Sequence, residues 1–382
     1  MRILWTVNII PQNLTNGLGV VTDVLGGWVE AMAVRLKQNP DIELAIACKC
    51  ENGEIFDTVV DGIKYYSITY DNSTAYKEIE NRLGEIIADF NPQLIHIEGT
   101  EFIHAEATIN AGEKKGIPVV TSMQGILNGQ YNYQCGQLQM DDLLISKSFS
   151  DICAGLLLHF RKTFWYQKRL PHERNVIEKS KYILGRTTWD RAHTYSINPK
   201  AKYYSCNRVL RAPFYETKWD LKNCEKHSIY IGNAYHALKG FHFVVEALPQ
   251  IIKEYPDMKI YVAGHKPFSE NDKRSFIKKG YGTYLENRIK TLGLEKYIEF
   301  TGPLSAEAVA DRLSKVHAYV LCSTVENSPN TLGEAMLVGT PCVAAYVGGV
   351  SDMAEDGKEA LFYRNDDPSL LAWNIKKIFD NE

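Results

Sequence analysis

Short β-branched runs alternate with helical patterns along the whole chain of 382 residues. The chain opens with a strand-like run from Ile3 to Ile9. Later in the same half, the segment Thr74 to Phe90 places its apolar residues on one face of a helix. Strands that alternate with helices are typical of parallel sheets covered by helices on both faces. The pattern therefore predicts an α/β protein built from doubly wound units.

The strand-like runs form two series, separated by a break in the pattern around Asn207 to Asn223. The first series predicts strands at Ile3 to Ile9, Glu43 to Cys48, Gln93 to Ile97, Val119 to Met123 and Tyr182 to Gly185. The second predicts strands at Ser228 to Ile231, Lys259 to Ala263, Tyr297 to Thr301, Ala318 to Cys322 and Pro341 to Tyr346. One core rarely serves a chain of this length, so we expect two domains, residues 1–207 and residues 208–382. Ligands should bind at the carboxyl ends of the strands and in the cleft between the domains.

Composition and charge describe an ordinary globular protein. The chain is 45% hydrophobic and 23% charged, with a formal net charge of -3, so nothing in it demands a nucleic acid partner. The longest apolar runs are shorter than the roughly 20 residues of a membrane span, which predicts a cytoplasmic enzyme. The eight cysteines are scattered and include no C-x-x-C pair, so neither a metal site nor a disulfide framework is expected.

The stretch from Val325 to Met336 carries two glutamates, Glu326 and Glu334, eight positions apart. Glu326 follows an apolar strand, and Pro329 and Asn330 are typical of a helix start, which places Glu334 about one turn inside the helix. A helix N-terminus offers unpaired N–H groups to a diphosphate, and carboxylates beside it can accept hydrogen bonds from sugar hydroxyls. Alone, the spacing is equally typical of a loop charge and a solvated helix residue.

Further elements follow in order, namely a Gly339-Thr340-Pro341 turn into a strand, the glycine pair Gly348-Gly349 and the turn Glu355-Asp356-Gly357. Together with the two glutamates they resemble the donor-binding region of the retaining GT-B glycosyltransferases of the family 4 type, also described as glycosyl transferases group 1. The resemblance covers the second half of the chain well and the first half more loosely. It implies two Rossmann-like domains that face a central cleft, an acceptor-binding one at the N-terminus and a nucleotide-sugar-binding one at the C-terminus.

The resemblance implies a role for each matching residue of the glutamate motif. Glu326 would contact the donor sugar during catalysis, and Glu334 would hold the nucleotide ribose. Asn330, Thr331 and Leu332 would lie against the diphosphate through their backbone N–H groups.

A cation is also expected at the leaving phosphate, where negative charge develops. Lys239, in the pair Lys239-Gly240 that opens a helix, matches the lysine of the family. Many members carry an arginine where this chain has Asn233, which puts the usual clamp of two cations in doubt. A surface lysine at a helix start is the structural alternative for Lys239.

In the first domain, the resemblance places a glycine-rich turn at Gly26 and Gly27, close to the donor phosphate. Gln124 stands where many members have a histidine beside the reacting sugar, and a glutamine cannot act as a general base. His96 and Glu101 are further candidates for the acceptor or sugar side. Each of these positions also has a purely structural explanation.

The run from Phe160 to Leu170 mixes cations with aromatic residues, which suits an anionic membrane surface or the phosphate of a lipid-linked acceptor. A solvated basic helix is the alternative. The sequence ends in a helical pattern at Glu382, whereas relatives usually continue with a helix that crosses back to the first domain. Whether the last helix here packs on the first domain stays open.

The function that the resemblance implies is retaining transfer of a hexose-type sugar from a UDP or GDP sugar to a saccharide or lipid-linked saccharide, in cell-surface polysaccharide biosynthesis. It requires no metal and no other cofactor. A nicotinamide dehydrogenase is disfavoured, because Gly17-Leu18-Gly19 is followed by Thr22 where a third glycine belongs. A non-catalytic protein that binds a nucleotide sugar stays open, because Asn233 and Gln124 depart from the family pattern.

Overall fold

A computed structural model describes residues 1–11, 14, 27–50, 56–70, 76–139, 142, 156, 166–167, 169–268 and 279–381. The chain divides into two compact units. The first unit comprises Met1–Gly129 and Gln167–Arg211, and the second comprises Gln130–Tyr166 and Ala212–Glu382. The predicted boundary after residue 207 lies close to the end of the first unit at Arg211, whereas the segment 130–166, predicted in the first domain, groups with the second unit.

The first unit is built on an eight-stranded sheet with the strand order β3-β4-β2-β1-β5-β6-β7-β8. All its strand pairs are parallel except β3 and β4. The strands are β1 Arg2–Val7, β2 Glu43–Cys50, β3 Asp57–Val60, β4 Ile63–Thr69, β5 Leu94–Glu98, β6 Val119–Ser122, β7 Tyr182–Gly185 and β8 Lys202–Ser205. The helices of its described residues are Gly27–Lys37, Tyr76–Phe90, Ile103–Lys114, Leu127–Gln130, 169–179 and Thr188–Ile197.

The second unit is built on a six-stranded parallel sheet with the strand order β11-β10-β9-β12-β13-β14. The strands are β9 Glu225–Ile231, β10 Lys259–Ala263, β11 Ile298–Gly302, β12 Val316–Leu321, β13 Cys342–Ala345 and β14 Leu361–Tyr363. The α-helices of its described residues are Pro213–Glu216, Phe241–Glu254, Lys279–Thr291, Ala306–Lys315, Asn330–Val338 and Pro368–Phe379. Single turns of 3₁₀-helix occur at Tyr131–Tyr133, Leu221–Asn223, Ala237–Lys239, Glu295–Tyr297 and Val350–Asp352.

The cores follow from the periodicity of the sequence. The helix Tyr76–Phe90 buries Ile79, Leu83 and Phe90 against the first sheet, on the face that its spacing predicts. All six residues of β12 are buried, as expected for a central strand covered on both faces. The last helix buries Leu371, Ile375 and Phe379 in the core of the second unit. It ends at Phe379, so the expectation of a helix that continues to the last residue is wrong.

All ten predicted strands are present in the structure, with ends that differ by up to three residues. Four strands, β3, β4, β8 and β14, were not predicted. β3 and β4 form a hairpin around Asp61-Gly62, where both residues have positive φ angles of 49° and 71°. Aspartate followed by glycine between two apolar runs is a strong hairpin signal, so these two strands were predictable from the sequence.

Candidate functional site

A glycine brings Lys239 to the carboxyl end of β12. Gly240 has a φ of 69°, and a Cβ atom at this position would lie 1.8 Å from the carbonyl oxygen of Cys322. Only glycine accommodates both the left-handed backbone and this close approach. The turn Ala237–Lys239 therefore packs directly against the segment that follows β12, and the backbone N–H of Thr324 donates to the carbonyl of Leu238 at 2.8 Å.

Lys239 and Glu326 form an ion pair at this edge of the second sheet. The Nζ atom of Lys239 lies 2.6 Å from Oε1 of Glu326, and the hydroxyl of Ser323 donates to the same oxygen at 2.7 Å. The two side chains are 31% and 14% exposed, so the pair is partly shielded from water. Among the described residues, Oε2 of Glu326 accepts no hydrogen bond. The geometry holds a carboxylate with one oxygen anchored and the other available.

The glycine pair downstream fixes the backbone of Glu326. The N–H of Gly349 donates to the carbonyl of Glu326 at 3.0 Å. Gly348 has a φ of 53°, and a Cβ atom there would lie 1.9 Å from the same carbonyl oxygen. A side chain at position 348 would therefore displace the loop that carries Glu326, which gives the Gly348-Gly349 pair a physical role.

The helix Asn330–Val338 starts as the sequence predicts, with Pro329 at its N-cap and no side chain capping it. Among the described residues, the N–H groups of Asn330 and Thr331 have no backbone acceptor, whereas the N–H of Leu332 donates to the carbonyl of Pro329 at 3.1 Å. Of the three amides expected to face a diphosphate, that of Leu332 is thus already engaged. The other two remain available at the positive end of the helix dipole.

Thr331 and Glu334 are held by the surrounding core. The hydroxyl of Tyr319, in β12, donates to Oγ1 of Thr331 at 2.8 Å. Gly232 leaves room for the Thr331 side chain, since a Cβ atom at 232 would lie 3.3 Å from its Cγ2 atom. Glu334 is only 3% exposed, on the second turn of the helix, so it is not a solvated surface residue.

Asn233 lies at the end of β9 and is exposed. Its Oδ1 atom accepts a hydrogen bond from the backbone N–H of Tyr235 at 2.8 Å, which closes a local turn. A Cβ atom at Gly264 would lie 3.8 Å from its side-chain carbon. Asn233 therefore has a structural role in the turn and brings no charge to this edge of the sheet.

In the first unit, Glu101 and Gln124 meet above Gly99, which follows β5. Gly99 has a φ of 95°, and a Cβ atom there would lie 2.6 Å from Oε2 of Glu101 and 3.4 Å from Cδ of Gln124. Oε2 of Glu101 is buried and has no hydrogen-bond partner among the described residues. Burial, and then the charge of Glu173, raise the pKa of Glu101 to about 7.

His96 lies in β5 and is 7% exposed. Its Nε2 atom is 2.6 Å from the hydroxyl of Ser122 and 3.4 Å from Oε1 of Glu98, and its ring packs edge-on against Trp5. Burial lowers the pKa of His96, which favours the neutral imidazole. His96 is therefore a buried residue that packs and hydrogen-bonds at the end of β5.

Three charged residues of the first unit, Glu173, Arg186 and Arg208, were not predicted from the sequence. Glu173 is fully buried and accepts hydrogen bonds from the backbone N–H groups of Leu127 and Asn128, both at 2.8 Å, which caps the helix Leu127–Gln130. Arg186 directly follows β7, a position that could have been noticed because parallel sheets bind ligands where their strands end. Arg208 stands in an irregular segment that gives no such signal.

Some predicted positions lie outside the described residues. Gly26 is one of them, and Gly27 is the first residue of the helix Gly27–Lys37. Most of the run from residue 160 to residue 170 also lies outside, although Arg169 is described and places its guanidinium 4.7 Å from the ring centre of Phe102. Where the structure is described, no helix combines the length and apolar character of a membrane span. The same residues contain no cluster of three or more histidine, cysteine, aspartate or glutamate side chains suited to a metal ion.

Comparison with known proteins points to the same region of the chain. Residues 225–381 match the family model of glycosyl transferases group 1. Mannosylfructose-phosphate synthase from Agrobacterium fabrum is 26% identical over 144 residues, which cover 38% of this chain and 31% of that protein. This chain therefore spans about a third of the length of the curated relatives that it matches.

Solved structures resemble the chain over its whole length. Sucrose-phosphate synthase from Thermosynechococcus elongatus has a TM-score of 0.68 at 13% identity, and the match covers 100% of this chain and 90% of that one. The Anabaena protein HepE, in complex with UDP-glucose, has a TM-score of 0.67 at 14% identity, with the same coverage. At such identities the likeness concerns the fold. The resemblance to glycosyl transferases group 1 is thus established over residues 225–381, and the chain has the fold of the GT-B glycosyltransferases, with two Rossmann-like α/β units.

Proposed function

We propose that this protein is a retaining glycosyltransferase. It moves a hexose-type sugar from a UDP or GDP sugar to a saccharide or lipid-linked saccharide, in cell-surface polysaccharide biosynthesis. The observation that carries the proposal is the Lys239–Glu326 pair beside the uncapped start of the helix Asn330–Val338, within the region that matches the family model. The likeness to HepE, solved with UDP-glucose, supports a nucleotide sugar as the donor.

The diphosphate of the donor would lie against the N–H groups of Asn330 and Thr331. These amides and the helix dipole offer positive charge that is already in place when the glycosidic bond breaks. Lys239 has three N–H donors, and only one is directed at Glu326, so it can also reach the leaving phosphate. Asn233 adds no second cation, and Lys239 would carry this task with the helix start.

Glu326 would bind a hydroxyl of the transferred sugar through Oε2, because Lys239 and Ser323 hold Oε1. Positive charge grows on the sugar ring in the transition state, so a fixed carboxylate stabilises that state more than the ground state. Retention would follow from attack of the acceptor hydroxyl on the face that the phosphate leaves, with the phosphate receiving its proton. No enzyme nucleophile is needed in this scheme.

Glu334 would accept hydrogen bonds from the ribose of the nucleotide. The ribose does not change in the reaction, so this contact should contribute equally to the ground state and the transition state. Gln124, Glu101 and His96, all in the first unit, are proposed on the acceptor side. The activity is proposed to need no divalent metal.

The test compares Glu326→Gln with Glu334→Gln, using Glu299→Gln, an exposed glutamate of β11, as the matched control. Steady-state kinetics with the donor and calorimetric binding of bare UDP or GDP give the two readouts. Glu326→Gln should lower turnover about tenfold to a hundredfold and leave affinity for the diphosphate within about twofold. Glu334→Gln should instead weaken both donor and diphosphate, by about tenfold. The opposite pattern would remove the assignment of the two glutamates.

A non-catalytic protein that binds a nucleotide sugar is the second candidate, favoured by the uncharged Asn233. Binding of UDP or GDP without any transfer or donor hydrolysis by the unmodified protein would select it. A thermal-shift screen against both nucleotides identifies the base, because a ligand that binds only the folded state raises the apparent stability.

Peripheral membrane contact through residues 160–170 is also proposed. The guanidinium of Arg169 lies 4.7 Å from the ring centre of Phe102, so Arg169 is expected to contribute little to this contact. Changing Arg161, Lys162 and Lys168 together to glutamine should abolish sedimentation with anionic vesicles, whereas Arg169→Gln alone should leave most of it. An unchanged bound fraction in the triple variant would contradict the contact.

A further inference from the structure

Two arginines that have no assigned role lie at the carboxyl edge of the first sheet. Arg186 is the residue after β7, and Arg208 follows β8 by three residues. Their strands, β7 and β8, are neighbours in the sheet, and Oε2 of Glu98, the last residue of β5, lies 3.3 Å from Nη2 of Arg208. Ligands of open parallel sheets bind at this edge, so the position itself is suited to a binding site.

Arg186 is a partly buried cation whose guanidinium has no acidic partner among the described residues. Its Nη2 atom donates to the backbone carbonyls of Met123 and Gln124, at 3.3 Å and 3.0 Å. Its Nε atom is buried and has no acceptor among the described residues. No carboxylate of the described residues forms an ion pair with it, and burial lowers its pKa. A buried guanidinium in this state is costly unless an anion completes its hydrogen bonds.

Arg208 is held by contacts with Trp28 and Glu98. Its guanidinium stacks 3.6 Å from the ring centre of Trp28, and Nη2 lies 3.3 Å from Oε2 of Glu98. Burial and the nearby charge of Arg186 lower its pKa to about 10, so it stays protonated at neutral pH. One buried carboxylate, Glu98, therefore contacts only one of two neighbouring cations.

The other titratable groups nearby leave the guanidinium donors unsatisfied. Asp190 attracts Arg186 at longer range, but its oxygens accept from the backbone N–H of Arg186 and the hydroxyl of Tyr203. Glu101 is only partly ionised at neutral pH, because its pKa is about 7. His96 is neutral there, since burial lowers its pKa. Among the described residues, the cluster thus sets two cations against the one carboxylate of Glu98, and Nε of Arg186 keeps a hydrogen-bond donor without an acceptor.

We propose that Arg186 and Arg208 bind a phosphate group of the acceptor. The planar fork of arginine matches phosphate oxygens, and the several acceptor oxygens of a phosphate group can accept hydrogen bonds from two guanidinium groups at once. The acceptor is the source, because both arginines belong to the first unit, whereas the candidate donor residues and the family-model match lie in the second. The assignment of the phosphate to the acceptor rests on the proposed function, whereas the phosphate site itself does not. A sugar phosphate or a lipid-linked sugar phosphate has the required chemistry.

The test uses inorganic phosphate as the probe and calorimetry on the full chain, with UDP or GDP at saturation to occupy the donor site. Arg186→Gln and Arg208→Gln should each weaken phosphate binding roughly tenfold or more, since each removes charge-assisted hydrogen bonds. Arg174→Gln, which removes a surface arginine paired with Glu178, should leave it within about twofold. Arg186→Lys keeps the charge without the fork and should still weaken binding, which preserves the test if a glutamine variant fails to fold.

Two results would overturn the proposal. The first is phosphate affinity in both glutamine variants equal to that of the unmodified protein. The second is an equal loss of UDP or GDP affinity in the same variants, which would assign the arginines to the donor diphosphate. Failure of the unmodified protein to bind either nucleotide would instead count against the proposed function. Phosphate titrations without nucleotide would still measure binding at the arginine site.

Discussion

Replacing Glu101 by glutamine should stabilise the protein relative to the unmodified chain. This gain in the free energy of unfolding should be larger at alkaline than at acidic pH. The Oε2 atom of Glu101 is buried without a partner among the described residues, next to the buried Glu173. Folding therefore favours the neutral carboxyl and raises its pKa from 4.5 to about 7. Glutamine has the same shape and never ionises, so it removes this penalty while leaving the packing in place.

The size of the effect follows from the two pKa values. Their difference corresponds to about 3 kcal/mol of unfolding free energy. When folding raises the pKa of a carboxyl group, the free energy of unfolding falls as pH rises from 4.5 towards about 7. Above that value the loss is complete. The stability gain of Glu101→Gln should thus be small at pH 5, and it should be about 2 to 3 kcal/mol larger at pH 8.

Urea unfolding of the two proteins at pH 5 and pH 8 measures this difference, with Glu113→Gln as a control at an exposed glutamate of the same unit. The control should change stability by less than about 0.5 kcal/mol at either pH. An equal effect of Glu101→Gln at the two pH values would refute the reasoning. So would a growing advantage of the unmodified protein as pH rises.

The remaining predictions concern the second unit. Gly348→Ala should lower turnover at least about tenfold while UDP or GDP still binds, because the new Cβ atom meets the carbonyl of Glu326 and displaces that loop. Unchanged kinetics would contradict the role given to the glycine pair. Transfer activity should survive EDTA, because Lys239 and the helix start at Asn330 already supply positive charge to the diphosphate; complete loss that manganese or magnesium restores would contradict this. Lys239→Ala should slow transfer about a hundredfold or more, whereas Lys259→Ala, a surface lysine paired with Glu225, should not change the rate.

Sequence patterns were sufficient where local periodicity decides the structure. The apolar face of the helix Tyr76–Phe90 and the start of the helix at Asn330 follow from residues within one or two turns. The resemblance identified the glutamate motif, and the structure adds the reason why its parts occur together: the glycines at 240 and 348 allow two backbone approaches that bring Lys239 and Glu326 into contact. The hairpin at Asp61-Gly62 was missed although its signal is local.

Features that depend on distant residues could not be predicted. The segment 130–166 groups with the second unit through contacts such as that between His242 and the carbonyl of Gly136, 106 residues apart. Arg208 contacts Glu98 across 110 residues and stacks on Trp28, which no spacing along the chain indicates. The raised pKa of Glu101 depends likewise on Glu173 and on burial that only the folded sheet creates.

The carboxyl edges of the two sheets differ in how their charged side chains are paired. In the second unit, Lys239 and Glu326 neutralise one another and keep one carboxylate oxygen and two lysine donors for a ligand. In the proposed function, this pair would be divided between a sugar hydroxyl and a phosphate when the donor binds. In the first unit, by contrast, Arg186 has no carboxylate at its guanidinium among the described residues. A folded chain keeps an arrangement of that kind at a cost in stability, which a bound anion would offset. Phosphate should therefore raise the melting temperature of the unmodified protein, and this rise should be lost in Arg186→Gln.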